Sequence, residues 1–232
     1  MEKTRKRYAL VLAGGSGERF WPLSRKATPK QLLNLFDGET LLEATISRLE
    51  GTLPKENILV LTNVEQETAV RAILGSRLPA ENIVAEPAKR DTAPAIALAV
   101  GWVAARDPDA SMAVLPADQL IRDRAAFADV LGLAFDTAES QEAVVTIGIR
   151  PTWPCPSYGY IERGEAVAQG SGPSVYEVKR FREKPDPDTA REFLAAGNFS
   201  WNAGMFIWSI KTVIAEFEKH VPALATFVGQ VK

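Results

Sequence analysis

Tyr8-Ala-Leu-Val-Leu-Ala-Gly-Gly-Ser-Gly-Glu-Arg19 passes from a short apolar run straight into glycines at positions 14, 15 and 17. A run that is apolar at every position belongs to a strand buried on both faces. Glycines placed directly after it let the backbone take positive φ and bring its N–H groups close to phosphate oxygens. The G-x-G-x-x-G spacing of a dinucleotide turn is absent, and no G-K-[ST] follows, so neither that turn nor a P-loop fits. Three cations come next, Arg19, Arg25 and Lys30, with prolines at 22 and 29. Those prolines disfavour a regular helix and predict an extended, wrapped segment. A guanidinium can clamp two phosphate oxygens and an ammonium acts as a point charge, so the set suits a triphosphate.

The same texture continues outward. Short apolar runs at Ile58–Leu61, Asn82–Ala85, Met112–Leu115 and Val144–Gly148 alternate with helical spacing over Thr40–Glu50, Glu65–Leu78, Thr92–Ala105 and Ala125–Glu139. Apolar strands separated by helices predict a parallel sheet covered on both faces. Ligands of such sheets bind beyond the carboxyl ends of the strands, here the loops after Leu12, Ala85 and Leu115. Past residue 150 the texture changes. Pro151, Pro154 and Pro156 punctuate a loop, and strands are expected at Tyr158–Glu162, from Ser174 through Val178 towards Phe181, and at Trp201–Ile210. Helices are expected over Pro187–Ala196 and Thr212–Lys219.

With 232 residues and a net charge of −2, the composition gives no nucleic-acid footprint. No apolar run reaches the ~20 residues that cross a bilayer, and the N-terminus does not read as a signal peptide. The single cysteine, Cys155, excludes an internal disulfide and fits a reducing compartment, so a cytoplasmic protein is expected.

Gly-Gly-Ser-Gly-Glu-Arg-Phe-Trp-Pro-Leu-Ser-Arg25, followed by Pro29-Lys-Gln-Leu-Leu33, resembles the signature of the sugar-1-phosphate nucleotidyltransferases. Within them it is similar to the mannose-1-phosphate guanylyltransferases. Further matches occur in family order at Glu86-Pro-Ala-Lys-Arg-Asp-Thr-Ala-Pro94, Leu115-Pro-Ala-Asp118, Tyr158-Gly-Tyr-Ile-Glu162, Phe181-Arg-Glu-Lys-Pro185 and Trp201-Asn-Ala-Gly-Met-Phe206.

The resemblance implies an α/β, Rossmann-like (GT-A-like) nucleotidyltransferase domain with a mixed, mostly parallel central sheet flanked by helices. One such domain would cover 1–232, with a nucleotide-binding half over about 1–150 and a sugar-phosphate half over about 151–232. The implied reaction is Mg²⁺-dependent, joining GTP and α-D-mannose 1-phosphate to give GDP-mannose and pyrophosphate. Its implied nucleotide-binding residues are Ala13, Gly14, Gly15, Gly17, Arg19, Glu86, Arg90, Thr92 and Ala93, with Thr92 capping a helix. Arg19, Lys30 and Asp118 would be catalytic, with Mg²⁺ on Asp118. Gly159, Glu183, Lys184 and Asn202 would bind the sugar phosphate. A sugar phosphate is already an anionic nucleophile, so in-line displacement needs no strong base, and the lone histidine, His220, lies outside every motif.

The chain departs from the family pattern at Asp91, where Asn is usual, and at Gln119, where His is usual. The family's further C-terminal stretch, with a second acidic metal ligand and an oligomerisation region, is not recognisable before Lys232, and a homodimer stays open. Two alternatives also stand: transfer to another sugar 1-phosphate or from another base, and a module that binds nucleotide sugar with weak or no turnover.

Overall fold

The computed structural model describes residues 5–15, 22–24, 29–36, 38–88, 90–168 and 172–231. Gly17, Arg19 and Arg25 lie outside the described residues. The chain divides into two compact units, Met1–Val145 with Phe206–Lys232, and Thr146–Met205.

The larger unit is built on strands β1 (Arg7–Leu12), β4 (Ile58–Asn63), β5 (Ile83–Glu86) and β6 (Ser111–Pro116). They lie side by side in the order β5-β4-β1-β6, and all three pairings are parallel. Beyond β6 the end of β10 (Phe199–Ser209) adds an antiparallel neighbour, Phe206 opposite Val114 through Ser209 opposite Ser111. The sheet is therefore mixed and mostly parallel. A small hairpin, β2 (Asn34–Phe36) and β3 (Glu39–Thr40), precedes the first helix and was not expected from the sequence.

Both sheet faces are covered, which is why these strands are apolar at consecutive positions. Tyr8, Leu10, Leu59, Leu61, Met112 and Val114 point to one face. There they pack with α3 (Thr92–Ala104), α6 (Ile210–His220) and α7 (Pro222–Gln230). The intervening Ala9, Val11, Val60, Ala113 and Leu115 are equally buried on the other face. On that side α2 (Glu67–Leu74) contacts β4, and α4 (Arg124–Gln141) contacts β6 and α1 (Leu41–Leu49). α1 starts at a reciprocal cap, the Thr40 hydroxyl accepting from the Glu43 N–H while the Glu43 carboxylate accepts from the Thr40 N–H. No described helix is long and apolar enough to cross a membrane.

The helix α7 was also not expected. It opens on Pro222 at its first turn, a position where the missing N–H costs nothing, and it is held by packing on α3. The contact depends on Gly101. A Cβ built there would lie 2.5 Å from the Val231 Cβ and 3.0 Å from the Val228 carbonyl oxygen. Gly101→Ala gains helix propensity but forces α7 away from α3, and we expect a net loss of about 1–2 kcal/mol. A urea midpoint that rises in this variant would show that the two helices do not meet this closely.

In the smaller unit β8 (Tyr160–Ala168) makes two antiparallel pairings, with β9 (Val175–Arg182) on one side and with the start of β10 on the other, and β7 (Val145–Ile149) also pairs with β10. Helix α5 (Pro187–Ala196) closes one face through Ala190 and Phe193 against Tyr160 and Phe199. Asp186 caps it, accepting from the N–H groups of Asp188 and Thr189. The buried Tyr160 hydroxyl donates to the Cys155 carbonyl oxygen at 3.0 Å.

Candidate active site

In the larger unit the parallel strands bring four loops to one edge. The ladder runs past the end of β1, with the Ala13 N–H donating to Leu61 O at 2.7 Å and the Ala117 N–H to Leu12 O at 3.1 Å. Ala13, Gly14 and Gly15 therefore leave the sheet between the carboxyl ends of β4 and β6. Asp118 follows β6 by two residues. In register, Leu12 pairs with Leu61 and Asn63 with Glu86, so Glu86 stands at the same edge, two strand spacings or about 10 Å across.

Lys30 enters from a single 3-10 turn, Lys30–Leu32, behind an extended Pro29. Its stem passes the glycine loop, since a Cβ on Gly15 would meet the Lys30 Cε at 3.9 Å. Its ammonium is ion-paired with the Asp118 carboxylate, and both groups keep about a quarter of their surface in water (21% and 27%). Gly15, Lys30 and Asp118 thus converge. Arg48 of α1 steadies the backbone beyond Asp118 by donating to the Gln119 carbonyl oxygen at 3.1 Å and to Thr45 Oγ1 at 3.0 Å. It has no carboxylate partner in these contacts and lies over the Phe127 ring, and burial pushes its guanidinium down to about 10.

Glu86 and Arg90 line a cavity of about 330 Å³ whose remaining walls are Pro87, Ala88, Pro94, Ala95, Leu98, Leu224 and Phe227. Burial pushes the Glu86 carboxyl up. The helix entry differs from the expectation that Thr92 caps α3. Thr92 is the first helical residue, and Asp91 occupies the cap at φ 62 and ψ −172 without a side-chain cap bond. That backbone region is close to glycine-only, so the loop stores strain, and the first-turn N–H groups of α3 are left without a side-chain acceptor from the cap. Thr92 and Ala93 are exposed there.

In the smaller unit the four expected residues meet. A Cβ on Gly159 would lie 2.6 Å from Glu183 Oε2 and 3.4 Å from Asn202 Cβ. The Asn202 N–H donates to Gly159 O at 2.8 Å, and the Lys184 N–H to Tyr158 O at 3.2 Å. Asn202 Oδ1 accepts from the Gly204 N–H at 2.9 Å, which fixes the amide. Lys184 takes φ 42 and its ammonium lies 3.5 Å from Glu183 Oε1, both side chains being mostly exposed.

The model of the Nucleotidyl transferase family matches residues 8–230. The chain belongs to that family. Mannose-1-phosphate guanylyltransferase ManC of Salmonella typhimurium is 42% identical over 221 residues, covering 94% of this chain and 45% of that protein. Mannose-1-phosphate guanylyltransferase of Escherichia coli K12 is 39% identical over 219 residues, covering 94% and 46%. The chain spans about half the length of the curated relatives it matches. A crystal structure described as mannose-1-phosphate geranyltransferase from Thermus thermophilus superposes with a TM-score of 0.84 at 38% identity, covering 97% of this chain and 64% of that one.

In this member of the family, no group of three or more His, Cys, Asp or Glu side chains converges among the described residues. Among the described residues Asp118 is the carboxylate paired with Lys30 beside Gly15. One carboxylate suits Mg²⁺, which keeps several waters and is commonly held by one or two carboxylates together with substrate phosphates. Sequence reasoning missed Gln31, Asn63 and Gln66, whose side-chain amides hold the carbonyls of the glycine loop. Gln31 carried a signal, being part of Pro29-Lys-Gln-Leu-Leu33. Asn63 and Gln66 carried none, because an amide at a strand end reads as an ordinary turn residue.

Proposed function

We propose that this chain transfers a guanylyl group from GTP to α-D-mannose 1-phosphate, giving GDP-mannose and pyrophosphate. The observation that carries the reading is the meeting of Gly15, Lys30 and Asp118 at the carboxyl edge of a parallel sheet. Glycine-loop N–H groups, Lys30 and Arg19 would hold the triphosphate, and Glu86, Arg90, Thr92 and Ala93 would flank the nucleoside. The Glu86 carboxylate suits guanine, whose N1–H and N2–H₂ both donate. Gly159, Glu183, Lys184 and Asn202 would hold mannose 1-phosphate, Lys184 on the phosphate and Glu183 with Asn202 on ring hydroxyls.

A phosphate oxygen of the sugar phosphate attacks the α-phosphorus of GTP. The new P–O bond forms as the bond to the β-phosphate oxygen breaks, and pyrophosphate leaves with that electron pair. The nucleophile is already an anion, so the side chains need only position it and offset charge. Asp118 would hold Mg²⁺, which supplies further charge neutralisation on the phosphates when bound. Release from Lys30 frees Asp118 for that role and lets the ammonium turn to phosphate. His220 takes no part, being on α6 beside Glu216 at 3.2 Å.

The test is pyrophosphate release by the 232-residue chain with GTP, mannose 1-phosphate and Mg²⁺, run beside UTP, ATP and glucose 1-phosphate. Release with GTP and mannose 1-phosphate above all other pairs is expected. Preference for another pair would reassign the substrates, and uptake of GDP-mannose without any release would make the chain a binding module.

A further inference from the structure

The carbonyl groups of the glycine loop are tied down by side chains that the reaction itself does not use. Gln31 Nε2 donates to Ala13 O at 2.7 Å and lies 3.4 Å from Gly15 O. Thr62 Oγ1 also donates to Ala13 O, at 3.2 Å. Asn63 Nδ2 donates to Gly14 O at 3.1 Å, and Gln66 Nε2 to Gly15 O at 3.3 Å. The amides are themselves linked, Gln31 Nε2 to Gln66 Oε1 at 2.7 Å and the Gln66 N–H to Asn63 Oδ1 at 2.9 Å. Thr62, Asn63 and Gln66 all come from the junction between β4 and α2. Gln66 stands in the cap position of α2, yet its side chain makes no cap bond and turns to the loop instead.

In a trans peptide the C=O of one residue and the N–H of the next point in opposite directions. Holding Ala13 O therefore aims the Gly14 N–H away from β4, and holding Gly14 O does the same for the Gly15 N–H. Free glycine peptides would sample many orientations, and ordering them on ligand binding costs affinity. The lattice also has a fixed direction. Gln31 Nε2 faces only acceptors, so its amide cannot flip without setting oxygen against oxygen. Its buried Oε1 is accordingly left without a partner among the described residues. Leaving a buried acceptor unmet costs free energy, so the orientation is held by the loop carbonyls rather than by the amide's own best bonding.

We infer that the β4–α2 junction, through Asn63 and Gln66 and with Gln31 as the bridge, is a template that presets the glycine-loop N–H groups for the nucleotide's polyphosphate. Gln66 and Asn63 are positioning residues and touch no substrate. The inference rests on the reading that this loop binds polyphosphate. Gln66→Met removes both its donor and its acceptor. Gln66→Glu keeps the acceptor for Gln31 but sets a carboxylate oxygen against Gly15 O. Both variants are expected to weaken calorimetric binding of GTP about tenfold, the Glu variant more than the Met, with mannose 1-phosphate binding unchanged. In ¹⁵N spectra of the ligand-free Gln66 variants the Gly14 amide signal, oriented through Gln31 and Ala13 O, should broaden or move while those of α3 stay.

A lesion that is only structural would lower the thermal midpoint and weaken both ligands together, and that outcome overturns the inference. GTP uptake by the wild-type chain with equal uptake by Gln66→Met overturns it alone. Absence of GTP uptake by the wild-type chain overturns the functional reading and the inference with it. If Gln66→Met does not fold, Asn63→Ser, which releases Gly14 O and removes the amide oxygen facing the Gln66 N–H but leaves the Asn63 backbone carbonyl to accept from that N–H, is read by the same measurements.

Discussion

Asp118→Asn is expected to slow pyrophosphate release on the order of 10²–10³-fold, the range seen when one preorganised electrostatic partner of a transition state is removed. The substitution keeps the shape of the side chain and its place after β6, but an amide is a poor ligand for Mg²⁺ and offers Lys30 no charge. Binding of GTP itself should change far less. In the free protein Lys30 is held by Asp118, and losing the carboxylate leaves the ammonium ready for a phosphate. The effect should therefore fall on kcat, and raising Mg²⁺ should not restore it. A variant within about threefold of wild-type turnover would remove Asp118 from the chemistry.

The second large effect belongs to Lys30→Met, which keeps the apolar stem beside Gly15 and deletes the charge. Turnover should fall on the order of 10²-fold or more, because the departing pyrophosphate loses a fixed cation. The same change has an opposite consequence in the free protein. With Lys30 present, a divalent cation must displace an ammonium from Asp118. With methionine there, the carboxylate is open, and Mn²⁺ uptake without nucleotide, read by electron paramagnetic resonance, should become tighter than in the wild-type chain. Equal Mn²⁺ uptake by the two proteins would show that the pair does not guard the carboxylate. Because the two groups touch, the double variant Lys30→Met/Asp118→Asn should not lose the sum of the single effects on turnover.

Much of this is legible in the sequence. β1, β4 and β6 were visible as runs apolar at consecutive positions, a pattern forced by helices packing on both faces, and β5 as the shorter run Asn82–Ala85. α5 was bounded on one side by Asp186 and Pro187 and on the other by Gly197, local signals whose physics is the hydrogen bonding of helix ends. Gly15 was picked out by residue type beside a strand end, Lys30 as a cation close behind the glycine turn, and Asp118 within the family match that follows a strand. In contrast α7 carried too weak a local signal, since a short helix is stabilised by what it packs on, here the bare face of Gly101. The cap of α3 was assigned to Thr92 because threonine is a good capping residue. The backbone instead places Asp91 there in a strained conformation that no side-chain preference predicts.

The order of residue types along the chain by itself determined the alternation of strands and helices, the parallel character of the main sheet, and which loops leave it at the carboxyl ends of its strands. These properties follow from hydrogen bonds and periodicities spanning a few residues, so they are written locally. Only the tertiary structure decided that Lys30 and Asp118 neutralise each other in the free protein, that Glu86 and Arg90 share a cavity wall with Leu224 and Phe227, and that Asn63 and Gln66 hold the glycine carbonyls. Each of those joins groups far apart in the chain. A hydrogen bond or ion pair depends on distances of a few tenths of an ångström, which arise only once the core has packed.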